Sequence, residues 1–197
     1  MSRTLTLATL MAMLPATGAV LPLAAQAEQA AAVSIGPEVG STPAFGPLVD
    51  ASGAPADMTA LAGSRGTVVA FVRSADWCPF CKKQLVELEA AKAPLAAQGW
   101  SLVSVSYDTP EKLADFAEKS AVSYPLLSDT GSETITAFNL LNDTVKKGTR
   151  SYGIPHPALV FVGADGKIEA VLREDGYRNR PAVEAVIATA TGLTSGS

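Results

Sequence analysis

The chain has 197 residues, 15 Lys and Arg against 19 Asp and Glu, a net charge of −4, one histidine and two cysteines. That acidic balance argues against nucleic acid or an anionic membrane surface as a partner. Two cysteines and a single histidine also fall short of the four ligands of a structural zinc site.

Met1-Ser2-Arg3 is a short basic start, and Leu5 to Ala25 is uncharged and rich in Leu, Ala and Met. Ala25-Gln26-Ala27 gives the small-x-small pattern of a signal-peptide cut, so residues 1–27 are expected to be removed ahead of Glu28. The alternative is a membrane anchor, since the apolar stretch approaches the length of a span. Pro15, Gly18 and Pro22 interrupt it, and no basic stop-transfer cluster follows. The mature chain is expected to be periplasmic or secreted, without stable membrane insertion. Its charge becomes one unit more negative once Arg3 is gone.

Residues 28–45, rich in Ala, Gly and Pro, read as a flexible lead-in, and residues 46–192 as one domain. Pro47 to Val49 and Asp57 to Leu61 flank Ser52-Gly53, a short hairpin signal. Thr67 to Val72 is a continuous β-branched and aromatic run, the pattern of a strand buried on both faces. Trp77-Cys78-Pro79-Phe80-Cys81 follows, and from Pro79 the period becomes helical, with Cys81, Leu85 and Leu88 on one face. Pro94 and Gly99 should end or kink that helix.

Trp100 to Ser106 is the next strand, and Asp108-Thr109-Pro110-Glu111 starts a helix with Leu113 and Phe116 inward. Tyr124 to Leu127 reads as a short strand, Ser132 to Phe138 as a turn or two of helix, and Asn139 to Tyr152 as an exposed polar insertion. Ala158 to Val162 and Lys167 to Leu172 flank Ala164-Asp165-Gly166, a strong hairpin signal. A final helix spans about Pro181 to Thr191, and residues 193–197 read as a disordered tail. The order requires parallel and antiparallel pairing together, hence an α/β fold with a mixed central β-sheet flanked by helices on both faces.

Chemistry concentrates in the CxxC. Cys78 should lie just outside the first helical turn with an accessible sulfur, where the helix dipole and unpaired N–H groups stabilise a thiolate, and Cys81 should lie inside the helix. The outer thiolate attacks a disulfide and the inner thiol resolves the intermediate, forming Cys78–Cys81. Lys82 and Lys83 would add favourable charge, and Trp77 an apolar wall. A purely structural disulfide is the competing explanation, but so short a loop removes little chain entropy. His156 precedes Pro157 and a buried strand. A cis turn there would offer its backbone to an extended substrate, and the bland alternative is a rigid loop.

Together, Gly40 to Phe45, Asp76 to Cys81, Ser106 to Glu111 and the Pro157 to Ile168 hairpin resemble the thioredoxin-like fold, in the branch holding the alkyl hydroperoxide reductase and thiol-specific antioxidant (AhpC/TSA) family. The resemblance implies that Pro157 is a cis-proline facing the cysteines. Peroxiredoxins of that family carry PxxxTxxC and an Arg on a neighbouring strand. With Cys81 at the peroxidatic position, Ser74 stands for the Pro, Cys78 for the Thr and Pro157 for the Arg. Thioredoxins keep a buried Asp six residues before the outer cysteine, where this chain has Val72.

The leading expectation is an exported thiol-disulfide oxidoreductase without a cofactor, with Cys78 as nucleophile, Cys81 as resolving thiol, and Trp77, Pro79, His156 and Pro157 against the substrate. Its partners would be a protein or small-molecule disulfide or thiol and a periplasmic or membrane electron donor. The runner-up is a thiol-dependent peroxidase with Cys81 attacking and Cys78 resolving. A third candidate is an assembly factor holding Cu(I) between the two thiolates, with or without His156.

Overall fold

A computed structural model describes residues 34–196, so the expected leader, its expected cleavage site and the start of the expected lead-in lie outside the described residues. Asp57 caps a single helical turn, α1 (Met58–Leu61), by accepting the N–H of Thr59. The apolar run after it forms β1 (Gly66–Phe71), buried along its whole length. Helix α2 (Pro79–Glu87) begins with Pro at its first position, where a missing N–H leaves no bond unmade.

The chain breaks at Leu88 and continues as α3 (Glu89–Ala97), which runs through Pro94. The expected interruption thus falls at Leu88, ahead of the proline, whose ring and absent N–H bear on the Ala90 carbonyl inside α3. Then come β2 (Trp100–Ser106), α4 (Pro110–Ser120), β3 (Leu126–Ser128), α5 (Glu133–Ala137), β4 (Ala158–Gly163), β5 (Ile168–Leu172) and α6 (Val183–Ser195).

The sheet order is β3-β2-β1-β4-β5. β1 pairs parallel with β2, β2 parallel with β3, and β4 antiparallel with both β1 and β5. The Asp165-Gly166 turn joins β4 to β5, with Gly166 at φ 81°, a conformation that costs glycine nothing. Alternation along β1 sorts the core into two layers. Val68, Ala70 and Val72 face Leu85, Leu95, Phe116 and Val186 from four helices. Val69 and Phe71 face Ile135, Phe138 and Leu140 on the other side. Each large apolar side chain so buried contributes about 1.5–3 kcal/mol.

The mixed sheet with helices on both faces is therefore present. Two boundaries differ from expectation. From Ser34 onward the lead-in is docked, because Gly40 N–H donates to Ile168 O and Ile168 N–H to Ser41 O, each at 2.8 Å. α6 also continues through Leu193 to Ser195, where a disordered tail was expected.

Candidate active site

Between β1 and α2 the backbone is held by a buried carboxylate. Asp108 accepts the Ser74 hydroxyl at 2.8 Å, the Ala75 N–H at 2.6 Å and the Ser106 hydroxyl at 2.9 Å. The Ser74 oxygen in turn accepts the N–H groups of Asp76 at 3.0 Å and Trp77 at 3.2 Å. This turn delivers Cys78 to the N-cap of α2, where its sulfur accepts the Cys81 N–H at 3.3 Å. Cys78 and Cys81 are joined as a disulfide, with Cα atoms 5.2 Å apart.

The sulfur of Cys78 is not accessible as expected: the residue is 1% exposed, and Cys81 is wholly buried. The loop after β5 lies beside the motif, and its Arg180 reaches the Cys81 sulfur. Arg73 lies between the Trp77 ring at 5.1 Å and the Tyr177 ring at 4.4 Å, and Tyr177 meets Phe80 edge-on at 6.0 Å. Behind Tyr177, Arg180 points inward. Its Nη2 donates to Cys81 Sγ at 3.5 Å, its Nε to Gln84 Oε1 at 2.8 Å, and its Nη1 to the carbonyls of Asn179 and Tyr177. Burial, with the Arg73 charge second, brings the Arg180 guanidinium down to about 10. A cleft of about 870 Å³, lined by Phe80, Gln84, Leu88, Arg180 and Val183 among others, opens beside it.

Arg180 and Arg73 are the residues that reading the sequence missed. Arg180 sits in a polar loop about a hundred residues beyond the motif, and no local pattern marks it. The cation at the sulfur is this arginine rather than Lys82 or Lys83: Lys83 pairs with Glu87 at 2.9 Å, and Lys82 lines a separate cleft between α2 and α4. Val72 is buried in the apolar layer with Cys81, so no carboxylate stands at that position.

Trp77 is half-buried and donates from Nε1 to the Tyr107 hydroxyl at 2.8 Å, which donates to Arg150 O at 3.2 Å. Asp76 beside it holds Lys112 at 2.7 Å and Arg150 at 3.2 Å, and the Lys112 hydrogen bond holds its carboxyl below the usual range. Pro79 is exposed at the start of α2.

His156 and Pro157 do not form the expected edge. There is no cis peptide bond among the described residues, so Pro157 is trans. The N–H of His156 is already spent on Leu140 O at 2.6 Å, Asn142 N–H donates to Ile154 O at 2.9 Å, and Leu141 bridges Pro155. Part of the segment expected as an exposed insertion thus pairs with the backbone at His156, with Leu140 fully buried. Pro157 leads into Ala158, which pairs with Phe71, so it shares the sheet end from which the cysteine loop leaves. No group of three or more His, Cys, Asp or Glu suited to a metal ion occurs among the described residues, so His156 does not join the cysteines as a third ligand.

With this geometry in place, the chain belongs to the AhpC/TSA family, whose model matches residues 41–171. It is an oxidoreductase of thioredoxin-like fold. A putative peroxiredoxin of Mycobacterium tuberculosis is 34% identical over 127 residues, 64% of this chain and 78% of that protein. The peroxiredoxin Bcp of Escherichia coli is 32% identical over 124 residues, 63% of this chain and 78% of that protein. Among solved structures, the peroxidoxin BcpB of Mycobacterium tuberculosis superposes with a TM-score of 0.67 at 24% identity, covering 80% of this chain and 98% of that one. Peroxiredoxin Q of Xanthomonas campestris gives 0.66 at 21%, covering 80% and 97%. At those identities the structural likeness speaks for the fold.

Proposed function

We propose that this protein is a thiol peroxidase that reduces hydroperoxides, with Cys81 as the attacking thiolate and Cys78 as the resolving thiol. This reverses the order of the leading sequence expectation. What favours it is the closed edge: the His156 N–H is bonded to Leu140 O, and both sulfurs are covered. A protein disulfide has to reach the attacking sulfur, and a free strand edge is one way to hold it there. A hydroperoxide needs only a small opening beside the sulfur. Membership of the AhpC/TSA family and the two peroxiredoxin relatives support the same reading.

In the oxidative half, the Cys81 thiolate attacks the terminal oxygen of the hydroperoxide and the O–O bond breaks. Cys81 becomes a sulfenic acid, and the alkoxide or hydroxide leaves and takes a proton from solvent. The Cys78 thiol then attacks the Cys81 sulfur, forming the disulfide and releasing water. The disulfide that this step forms joins residues one helical turn apart, with Cα atoms 5.2 Å apart. An external dithiol returns the two electrons. Cys78 at the family's Thr position places the resolving thiol next to the sulfur it serves.

Stopped-flow oxidation of the reduced protein by hydrogen peroxide and by an organic hydroperoxide tests the reading. Oxidation at least about tenfold faster than free cysteine at matched pH, about 1.4 kcal/mol of barrier, is the expected result. A rate no better than free cysteine overturns it. Dithiol exchange with Cys78 attacking is the second reading, favoured by the Cys78 N-cap position. It predicts a stable mixed disulfide on Cys78 in Cys81→Ser. Export with cleavage after Ala27 is part of the proposal, and the mature chain should begin at Glu28 by mass.

A further inference from the structure

The AhpC/TSA match ends at residue 171, and the position where the family pattern carries its arginine is Pro157. A guanidinium nevertheless reaches the buried sulfur from beyond the match. We propose that Arg180 is the catalytic cation of this site, stabilising the Cys81 thiolate and orienting the hydroperoxide, with Gln84 as the residue that positions it. The orienting role rests on the peroxidase reading, whereas the role toward the thiolate holds for either direction of chemistry.

Three observations carry the assignment. Arg180 spends Nε on Gln84 and Nη1 on two backbone carbonyls, leaving Nη2 aimed at Cys81 Sγ at 3.5 Å. A disulfide sulfur is a weak acceptor; a thiolate there would turn the same contact into a charge-assisted hydrogen bond. Second, neither Arg180 nor Arg73 is paired with a carboxylate among the described residues, although both are partly buried. Third, the acids flanking the motif are committed elsewhere, Asp108 to Ser74, Ala75 and Ser106, Asp76 to Lys112 and Arg150, and Glu87 to Lys83, while Glu174 and Glu184 line the cleft without an ion pair to Arg180 among the described residues. The Arg180 guanidinium therefore faces the sulfur that becomes a thiolate on reduction, with Arg73 stacked between the Trp77 and Tyr177 rings. Burial depresses both arginines, as it does for cations lacking a counterion.

Gln84 is buried on α2, one turn after Cys81, so its side-chain oxygen and the sulfur lie on the same helix face. Arg180 bridges the two. Its loop thereby becomes part of the site, and Arg180 also lines the 870 Å³ cleft.

Thiolate absorbance against pH in a Cys78→Ser background, where Cys81 is the one thiol left, reads the assignment directly. The Cys81 midpoint should lie below the ordinary value of about 8.5. Arg180→Met should raise it by about one pH unit or more, Arg180→Lys by less, and Gln84→Leu in the same direction. Arg178→Met, on the same loop but stacked on Tyr177, should leave it unchanged. Equal midpoints with and without Arg180 overturn the proposal, and so does a Lys variant that shifts as far as Met. If the midpoints shift as stated but reduced wild-type protein ignores hydroperoxides, the peroxidase reading falls while Arg180 keeps its thiolate.

Discussion

The Asp108 carboxylate and the Ser74 hydroxyl meet at 2.8 Å inside the protein, and that one contact shapes the turn before the cysteines. Ser74 stands where the family pattern has proline. A proline fixes a turn through its ring; here a hydroxyl does so by accepting two backbone N–H groups while donating to Asp108.

Asp108→Ala should therefore cost about 2–4 kcal/mol, since it strands the Ala75 N–H and two hydroxyls inside the protein. Urea unfolding of the oxidised protein measures this. A loss below about 0.5 kcal/mol, as at an ordinary surface site, would show that the network does not shape the turn.

Tyr177→Ala should loosen the loop after β5 beside the motif. Removing the ring under Arg73 and beside Phe80 forfeits a cation–π contact of about 0.5–2 kcal/mol. Reduction of Cys78–Cys81 by a small dithiol should then speed up between about twofold and thirtyfold. An unchanged rate would mean that the loop does not limit access.

His156 gives a pH signature of stability. Burial, and the Arg173 charge after it, hold its imidazole below the ordinary value of 6.5. The folded state then binds a proton less readily than the unfolded chain. Stability should be constant above about 6.5 and decline as pH falls beneath it, until the folded imidazole also protonates. Urea midpoints of wild type and His156→Gln across this range should diverge below pH 6.5 or so, with the variant flatter. Peroxidase turnover at neutral pH should be the same in both, because the His156 N–H donates to Leu140 O and not to a sulfur.

Much of the fold was legible because its signals are local. The run from Thr67 to Phe71 has to be a central strand, and Asp165-Gly166 has to turn. Cys78 and Cys81 were legible as a redox pair for the same reason: spacing, strand before, helix after. What escaped depends on contacts distant in sequence. Leu140 sits in a polar-looking stretch, so its burial and its carbonyl's bond to His156 N–H were hidden by composition. The ring stacked on Arg73 comes from Tyr177, and the cation at Cys81 from Arg180, each about a hundred residues downstream. No periodicity announces either one.

Which sulfur meets the peroxide is the central question, and Cys78→Ser answers it in a single turnover. Reduced Cys78→Ser mixed with one equivalent of hydrogen peroxide and trapped with a sulfenic-acid reagent should carry the adduct on the Cys81 peptide, while Cys81→Ser stays unmodified on the same timescale. An adduct on Cys78 in Cys81→Ser, with Cys81 of Cys78→Ser left as a free thiol, would contradict the account.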